Sequence, residues 1–493
     1  MRRGPAAMTV WAAAVLTACN VGHDYRKPDI ALPADFAEPH ASPPLPAGSD
    51  ISKWWTVFHD TKLDSLIARA LAANLDLQAA ASRVRQAREQ EIIAGAPEWP
   101  SLDVSGLGVN MHSNSNPLAA LAGGAGGSPA AGSPSNIKLY SLGLDASWEI
   151  DLFGGTRRAM EAAHANTEAA LWDLHDGEVA LTAEIADDYI NLRASQARIA
   201  MLDSEIGDEL QLFGLVRDRA RAGFVTQLDV NQQRTLLENA RAEIPPLQAQ
   251  ADAMVHAIAV LLAQPPESLA RELETAEPIP VTPPGLPAAL PAELLRRRPD
   301  IREAERKLAA ATADEGVAIA DLYPKLDLIG SPAFTGGMLS NLLSASHFGT
   351  VGIAYVSWPI FEAGRLRANI RASKEAELQA YFAWKKAVLG ALQDVEDALA
   401  RYADEKSHER ALAATEEAAA SSQTIARQQY ATGLVTFVNV LTAEATLLST
   451  RDALIQSRAA LTEDLSTIYK ALGGGWDEAS VDWERHPPDP ENK

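Results

Sequence analysis

The sequence predicts a mixed α and β fold that is mainly α-helical and in which a long helical hairpin occurs twice. Two turn segments with nearly the same sequence, Ala222–Val230 and Thr432–Val440, lie 210 positions apart. Each lies between long, charged, alanine-rich segments with apolar residues at every seventh position, a pattern typical of helices that supercoil against neighbours. Segments with alternating apolar and polar residues precede the hairpins and indicate β-strands. We therefore expect two copies of one unit, with four strands in the chain.

The amino terminus predicts export from the cytoplasm. Arg2 and Arg3 precede a small apolar stretch, which is followed by Leu16–Cys19. This arrangement is that of a secretory signal peptide, and its end resembles the cleavage site of bacterial lipoproteins. We expect residues 1–18 to be the signal peptide.

Cys19 is the only cysteine of the chain. The resemblance implies that it is the lipid attachment site, with a diacylglyceryl group on its sulfur and a further acyl chain on its amine. Several acyl chains together make a stable anchor, whereas a single chain does not. Asn20 stands where an aspartate often retains such lipoproteins at the inner membrane, which favours the outer membrane. Residues 19–60 are therefore expected to form a lipidated, extended segment.

The first predicted repeat covers residues 61–285. Its two strands are expected at about 100–112 and 138–150, and its hairpin turn near Gly223. From Tyr140 to Ile150 every second residue is apolar, with polar residues between them. A strand of roughly 9 to 11 residues is long enough to span a membrane.

The helix after each turn carries apolar residues at heptad spacing. Pro245 and Pro246 fall inside the first of these helices and predict a kink or break, because proline lacks a donor and clashes with the preceding turn. In the second copy Ile455 and Gln456 take their places. The heptad positions are Val230, Leu237, Ile244, Ala251 and Ile258, and, 210 residues later, Val440, Leu447, Leu454, Leu461 and Ile468.

The second predicted repeat covers residues 286–476. Its strands are expected at about 324–334 and 348–360, and its hairpin turn near Gly433. Residues 477–493 are expected to be a carboxy-terminal tail.

Four strands cannot close a barrel by themselves in lipid, where every edge group needs a partner and the smallest bacterial barrels have eight strands. The chain must therefore oligomerise if it spans a membrane. The alternative from the pattern alone is two water-soluble hairpins that cap a coiled coil.

Composition and motifs exclude several classes of function. The 493 residues include 65 Asp and Glu against 43 Lys and Arg, and the net charge of −22 argues against nucleic acid as a partner. The sequence has no His-Glu-x-x-His motif, no Cys/His cluster and no phosphate-binding glycine loop. We therefore predict neither an enzyme nor a cofactor or metal site, and we interpret Trp54 and Trp55 as structural.

Val21–Pro28 reads VGHDYRKP. It resembles the Val-Gly-Pro-Asp-Tyr-x-x-Pro opening of the NodT-type outer-membrane factor lipoproteins, which are relatives of TolC, with His23 in place of the usual proline. The lipoprotein cleavage site, the two Gly-x-x-Thr turns and the repeat extend the resemblance over nearly the whole chain. It implies a homotrimer whose chains contribute four strands each to a twelve-stranded transmembrane β-barrel. The helical hairpins then form an α-barrel that extends into the periplasm.

The resemblance also implies a function. The protein would be the outer-membrane exit duct of a tripartite, RND-type efflux pump, exporting small molecules such as drugs. Its partners would be a periplasmic adaptor, an inner-membrane transporter reached through the adaptor, and outer-membrane lipid. Turn chemistry alone explains the glycines and threonines of the hairpin turns, but it does not explain the apolar residues beside them. The adaptor-contacting tips would be Gly223, Phe224, Val225, Thr226, Gly433, Leu434, Val435 and Thr436.

Relatives that the chain resembles commonly narrow their periplasmic end with carboxylates just after the second turn. Here Asn439 and Thr442 occupy those places, whereas Asp229 follows the first turn. We hypothesise a periplasmic gate held by hydrogen bonds of Asn439 and by packing of Phe437, with Asp229 as its acidic group.

Two other functions remain open from the sequence. One is a lipid-anchored periplasmic coiled-coil protein that tethers envelope components without forming a pore. The other is an exit duct for type I protein secretion or metal-ion export. The sequence does not distinguish substrates, because a wide duct leaves the selection to the inner-membrane partner.

Overall fold

The computed structural model describes residues 20–29, 44–45, 51–113, 135–281, 286–287 and 297–477. The predicted signal peptide, the lipid attachment site Cys19 and nearly all of the predicted tail lie outside these ranges. Within them the chain is mainly helical and has one four-stranded antiparallel sheet, which confirms the predicted fold class.

The chain divides into two compact units, here called the strand unit and the hairpin unit. Each unit contains segments from both sequence repeats. A single sequence repeat therefore does not correspond to one compact unit. The strand unit comprises Met1–Lys27, Gln86–Thr167 and Arg306–Tyr381, and the hairpin unit comprises Pro28–Arg85, Glu168–Glu305 and Phe382–Lys493.

Four long strands form the sheet of the strand unit. They pair in chain order, each antiparallel to the next, so that β1 and β4 are the two edges of the sheet. All four predicted strands are confirmed, and each end lies within three residues of its predicted position. The strands are β1 (Ser101–Ser113), β2 (Ser135–Ile150), β3 (Lys325–Gly336) and β4 (Phe348–Ser357).

Two tryptophans make the same contact in the two halves of the sheet. The indole N–H of Trp148 donates to the carbonyl of Glu98 (3.1 Å). The indole N–H of Trp358 donates to the carbonyl of Leu322 (3.0 Å). Each tryptophan lies at the end of one strand, and each acceptor lies just before the strand paired with it. The duplication therefore extends to side-chain hydrogen bonds.

Large apolar side chains of the sheet are exposed. All residues of β4 are exposed, although the strand consists largely of apolar residues and glycine. An exposed apolar sheet surface in one chain indicates that lipid or another copy covers it. Examples are Leu102, Val104, Leu107, Leu144, Val351, Ile353, Tyr355 and Val356.

The long helices repeat at the interval found in the sequence. The helices before the turns each contain 67 residues and those after the turns each contain 35, and both pairs are offset by 210 positions. The duplicated hairpin is thereby confirmed. The helices are α1 (Thr61–Ala73), α2 (Leu75–Gly95), α3 (Gly155–Arg221), α4 (Gln227–Leu261), α5 (Pro299–Ala320), α6 (Arg365–Ala431) and α7 (Phe437–Ala471).

Pro245 and Pro246 were expected to kink or break a helix, and the expectation of a break is wrong. Both lie inside α4, which continues to Leu261. The two prolines remove the N–H groups that would bond the carbonyls of Arg241 and Ala242. Those two residues are exposed, so their carbonyls can bond water instead.

Trp54 belongs to the core of the hairpin unit. Its side chain is completely buried, and its ring stacks on Tyr469 of α7 with centroids 5.4 Å apart. The indole also meets Trp55 and Phe58 edge to face. The structural interpretation of the tryptophan pair is therefore confirmed.

In the part of the chain that the structure describes, no single helix has the length and apolar character of a membrane span. One pair meets those criteria only when taken together, α4 with Pro266–Leu273, and it is bent by 110°.

Candidate functional site

The first hairpin turn ends α3 with a left-handed glycine. Gly223 has a φ of 79°, and its N–H donates to the carbonyl of Ala220 (3.0 Å). The N–H of Phe224 donates to the carbonyl of Arg219 (2.9 Å). These two bonds form the Schellman arrangement, which satisfies the last carbonyls of a helix. A residue with a β-carbon would be strained at this φ.

The second turn has the same geometry. Gly433 has a φ of 78°, and its N–H donates to the carbonyl of Tyr430 (3.1 Å). The N–H of Leu434 donates to the carbonyl of Gln429 (2.9 Å). Two turns 210 residues apart therefore end their helices with the same pair of hydrogen bonds.

The helix starts after the two turns differ. Thr226 and Asp229 form a capping box at α4, in which the Asp229 carboxylate accepts from the Thr226 N–H (2.8 Å) and from its hydroxyl (2.9 Å). The Thr226 hydroxyl oxygen accepts from the Asp229 N–H (3.4 Å). Thr436 has a similar backbone conformation at α7, but its side chain makes no capping bond. Asn439 stands at α7 where Asp229 stands at α4.

Two apolar side chains project from the turns into solvent. Phe224 is 81% exposed and Leu434 is 77% exposed. Val225 and Val435, the next residue in each turn, are half-buried. Each turn therefore offers one fully exposed apolar side chain and holds the other against the hairpins.

Behind the turns, residues of both hairpins form a compact apolar group, the tip cluster. Phe437 is only 3% exposed, and its ring lies 5.3 Å from that of Tyr430. Phe437 therefore packs between the two hairpins of the same chain. The tip cluster consists of Leu212, Val216, Val230, Tyr430, Phe437 and Val440.

Arg219 connects the two turns. Its guanidinium donates to the carbonyls of Tyr430 (3.3 Å) and Ala431 (3.1 Å), the last residues of α6. It also lies over the Tyr430 ring at 4.9 Å. A cation is favourable at a helix carboxyl end, where the unpaired carbonyls carry partial negative charge. The two tips are thus held together by a contact that sequence spacing did not reveal.

A groove of about 790 Å³ opens between the two turns. Only two of the four predicted gate residues line it. Asp229 and Phe437 line the groove, whereas Asn439 and Thr442 do not. The Thr442 hydroxyl instead donates to the carbonyl of Val438 (2.9 Å), within α7.

A buried polar group follows the tip cluster along the helices. The carboxyl groups of Glu209 and Glu444 face each other, and both residues are 1% exposed. Gln233 donates to Glu209 from α4, and Arg427 donates to Glu444 from α6 (2.7 Å). All four long helices of the two hairpins therefore contribute one side chain to this group, the buried carboxyl cluster.

Burial is the main cause that raises the pKa of Glu209, to about 9; the hydrogen bond to Glu444 and its charge add to the effect. Glu209 consequently carries a proton at neutral pH. Its neighbour Glu205 also has a raised pKa, chiefly through burial. Arg451 lies 3.7 Å from Glu205 and 2.9 Å from Glu416, which places a compensating cation at the edge of the cluster.

One position in the sequence could have indicated this cluster. Glu209 lies three positions after the heptad residue Ile206, where an apolar seam partner is expected. A carboxylic acid in a seam needs a partner or a proton, because an isolated buried charge is costly. The identity of that partner depends on a contact between residues 235 positions apart.

Comparisons with known proteins agree with this geometry. The profile of the family described as Outer membrane efflux protein matches residues 66–264 and 290–474. The chain is 34% identical over 436 residues to the pyoverdine export outer membrane protein OpmQ of Pseudomonas aeruginosa, with 87% of this chain and 88% of OpmQ covered. It is 32% identical over 470 residues to nodulation protein T of Rhizobium leguminosarum bv. viciae, with 94% and 92% covered.

A solved structure of the outer-membrane channel OprN is also similar. Its TM-score is 0.86 and its sequence identity 35%, over 93% of this chain and all of that one. Duplicated hairpins, a four-stranded open sheet and these matches define an outer-membrane channel protein of the TolC type. The chain belongs to the outer membrane efflux protein family. It is an exit duct of efflux pumps, and the fold and family are those of channels and not of enzymes.

Proposed function

We propose that three copies of this chain form the outer-membrane duct of a tripartite pump that exports small molecules. The observation that carries the proposal is the open sheet of the strand unit. Its edges, β1 and β4, have no neighbour among the described residues. In hydrocarbon every backbone group must be paired within protein, so the strands need further copies to close a barrel. Three chains would supply twelve strands.

The proposal includes the sequence-based division of the chain. Residues 1–18 are the signal peptide, and 19–60 form the segment anchored through lipidated Cys19 in the outer membrane. Repeats 61–285 and 286–476 each supply two strands to the β-barrel and one hairpin to the periplasmic α-barrel.

The tips are proposed to dock on a periplasmic adaptor, which connects the duct to an inner-membrane transporter. The exposure of Phe224 and Leu434 supports this, since turn geometry needs neither side chain. The groove between the turns is lined by apolar residues of both. An adaptor helix that covered the apolar residues of both turns would bury apolar surface on both sides of the groove.

The gate is proposed to depend on the contacts between hairpins. Phe437 holds the tip cluster and Asp229 caps α4, while Asn439 and Thr442 provide the polar positions on α7. Opening of the tips would then require that hairpin contacts such as those of Arg219 separate.

The oligomer and the pore are tested together on the full-length lipoprotein in mild detergent. Native mass spectrometry is expected to give three chains per particle, and the same preparation is expected to conduct ions in planar bilayers. A monomer that passes no ions would contradict the proposal and favour the tether. A conducting trimer that restores drug resistance to a strain lacking its own duct supports small-molecule export; restoration of only protein secretion or metal resistance would contradict that substrate class.

A further inference from the structure

The segment that follows Cys19 is fixed against the strand unit by close backbone contact. Gly22 has a φ of 84°, and a β-carbon placed on it would lie 2.9 Å from the α-carbon of Gly316 in α5. The next acidic residue, Asp24, accepts from the buried guanidinium of Arg158 (2.8 Å). His23 lies between these two contacts, so its backbone position is determined.

His23 meets two carboxylates from two helices. Its Nε2 lies 3.1 Å from Glu377 of α6, and its Nδ1 lies 3.9 Å from Glu315 of α5. Thr312, one turn before Glu315 on α5, donates its hydroxyl proton to the same Glu377 oxygen (2.9 Å). One atom from each of the histidine and the two glutamates can be chosen so that all three lie within 4.8 Å of one another.

Glu315 is the unusual member of this group. It is 7% exposed, and its Oε2 has no hydrogen-bond partner in the described part of the chain. That oxygen is the one nearest to His23. Two carboxylates close together in a partly buried site repel each other, and a buried acceptor without a partner costs free energy. The orphan oxygen therefore marks a place where a bound cation would relieve this repulsion, in addition to the positive charge that His23 and Lys374 supply nearby.

We propose that His23, Glu315 and Glu377 bind a divalent transition-metal ion of the zinc class. One imidazole nitrogen and two carboxylate oxygens are ligands that zinc accepts, and a water molecule can complete the tetrahedron. A tetrahedral zinc ion with bonds of about 2.0 to 2.1 Å holds its ligand atoms about 3.4 Å apart. The longer separations in this group, none of which exceeds 4.8 Å, would therefore shorten by up to about 1.4 Å on binding. Thr312 would orient the Glu377 carboxylate by its hydrogen bond, as partners of metal ligands commonly do.

The ion would join three separate parts of the strand unit: the segment after Cys19, α5 and α6. No sequence motif indicated this site, because the ligands are far apart in the sequence. His23 and Glu315 are separated by 292 positions, and Glu315 and Glu377 by 62. The only hint was that His23 replaces the proline usual in the family that the sequence resembles.

The competing explanation is a simple ion pair, in which a protonated His23 bridges the two carboxylates. The two explanations predict opposite effects of pH. Metal binding requires neutral imidazole and strengthens as the pH rises from 6 to 8, whereas the ion pair weakens over the same range.

The test uses the full-length lipoprotein, purified with a histidine-free affinity tag and stripped with chelator. Zinc is measured by elemental analysis and calorimetry, and Co²⁺ by its visible spectrum. We expect one Zn²⁺ per chain and a tetrahedral Co²⁺ spectrum in the wild type. His23→Ala, Glu315→Gln and Glu377→Gln should each weaken Zn²⁺ binding at least tenfold.

His164→Ala is the matched control. His164 also pairs with a glutamate of the strand unit, Glu91, at 3.0 Å, but it does not belong to the three-residue group. This variant should bind zinc as the wild type does. The isosteric glutamine variants keep the test valid if His23→Ala fails to fold. Absence of zinc binding in the wild type, equal binding in the glutamine variants, or binding that weakens from pH 6 to 8 would overturn the proposal.

Discussion

At the scale of single residues, the two hairpin turns differ most at Asp229 and Asn439. The backbone of both turns is the same, but only Asp229 completes a capping box. Asp229 therefore has a local structural task, whatever its part in gating. Its negative charge also lies at the amino end of α4, where the helix dipole favours it.

Replacement of Asp229 by alanine should loosen the first turn of α4. Loss of the Asp229 half of the capping box, which accepts from the Thr226 N–H, costs up to about 1 kcal/mol, and this corresponds to about a fivefold loss of amide protection. Hydrogen exchange of the amides from Thr226 to Val230 would measure it. Asn439→Ala is the control and should leave the first turn of α7 unchanged, because Thr436 has no side-chain cap. Equal losses of amide protection in the two variants would contradict a capping role that is specific to Asp229.

The buried carboxyl cluster predicts a pH-dependent contact between the hairpins. The pKa of Glu209 is raised from 4.5 to about 9, so the packed state binds one more proton than the separated state between these values. The stabilising contribution of Glu209 is complete below pH 4.5 and declines as the pH rises toward 9. We therefore expect acidic conditions to favour the packed hairpins and alkaline conditions to favour their separation.

Glu209→Gln should remove most of this dependence, since glutamine stays neutral and keeps a similar shape. Hydrogen exchange of α3 near residue 209, corrected for intrinsic rates, would be compared at pH 6 and pH 9. The exposed neighbour provides the control, Asp208→Asn, which should behave as the wild type. An unchanged pH dependence in Glu209→Gln would show that another group is responsible.

At the scale of elements, the sequence predicted the hairpins and strands well because their causes are local or periodic. Heptad spacing and Gly-x-x-Thr turns located α3, α4, α6 and α7, and alternation located the strands. The prolines did not predict the course of α4, because exposed carbonyls can bond water where the proline N–H is missing. The contacts of Arg219 and the Glu209–Glu444 pair were not predicted, because they join residues more than 200 positions apart.

If the tips dock on an adaptor as proposed, the exposed turn residues determine how strongly they bind. Burial of one apolar side chain contributes about 1.5 to 3 kcal/mol, so Phe224→Ala or Leu434→Ala should weaken binding to the cognate adaptor about tenfold or more. Titration of adaptor onto the immobilised, detergent-solubilised protein would measure the affinity.

Gln227→Ala alters a neighbouring exposed residue without removing an apolar contact. It should change the affinity less than twofold, as expected for a surface position outside an apolar contact. If the Phe224 and Leu434 variants bound the adaptor with wild-type affinity, the adaptor would have to bind at another surface.

At the scale of the whole molecule, lipidation is the main prediction that the described residues do not include. Intact-mass analysis of the purified protein should show the loss of residues 1–18 and the added mass of the diacylglyceryl and acyl groups on Cys19. Radioactive palmitate should label the wild type and not Cys19→Ala. An unprocessed amino terminus, or equal labelling of both proteins, would contradict the lipid anchor.

The attachment of the amino-terminal segment has a consequence for depth in the bilayer. Val21 donates its N–H to the carbonyl of Phe153 (3.1 Å), three residues after the end of β2 at Ile150. Only Asn20 separates Val21 from Cys19, so fully extended chain allows about 7 Å between their α-carbons. If Cys19 is lipidated as proposed, its acyl groups would enter the inner leaflet of the outer membrane within a short distance of the end of β2. So short a connection would fix the depth of the barrel in the membrane. It would leave the duct almost no freedom to move along the membrane normal.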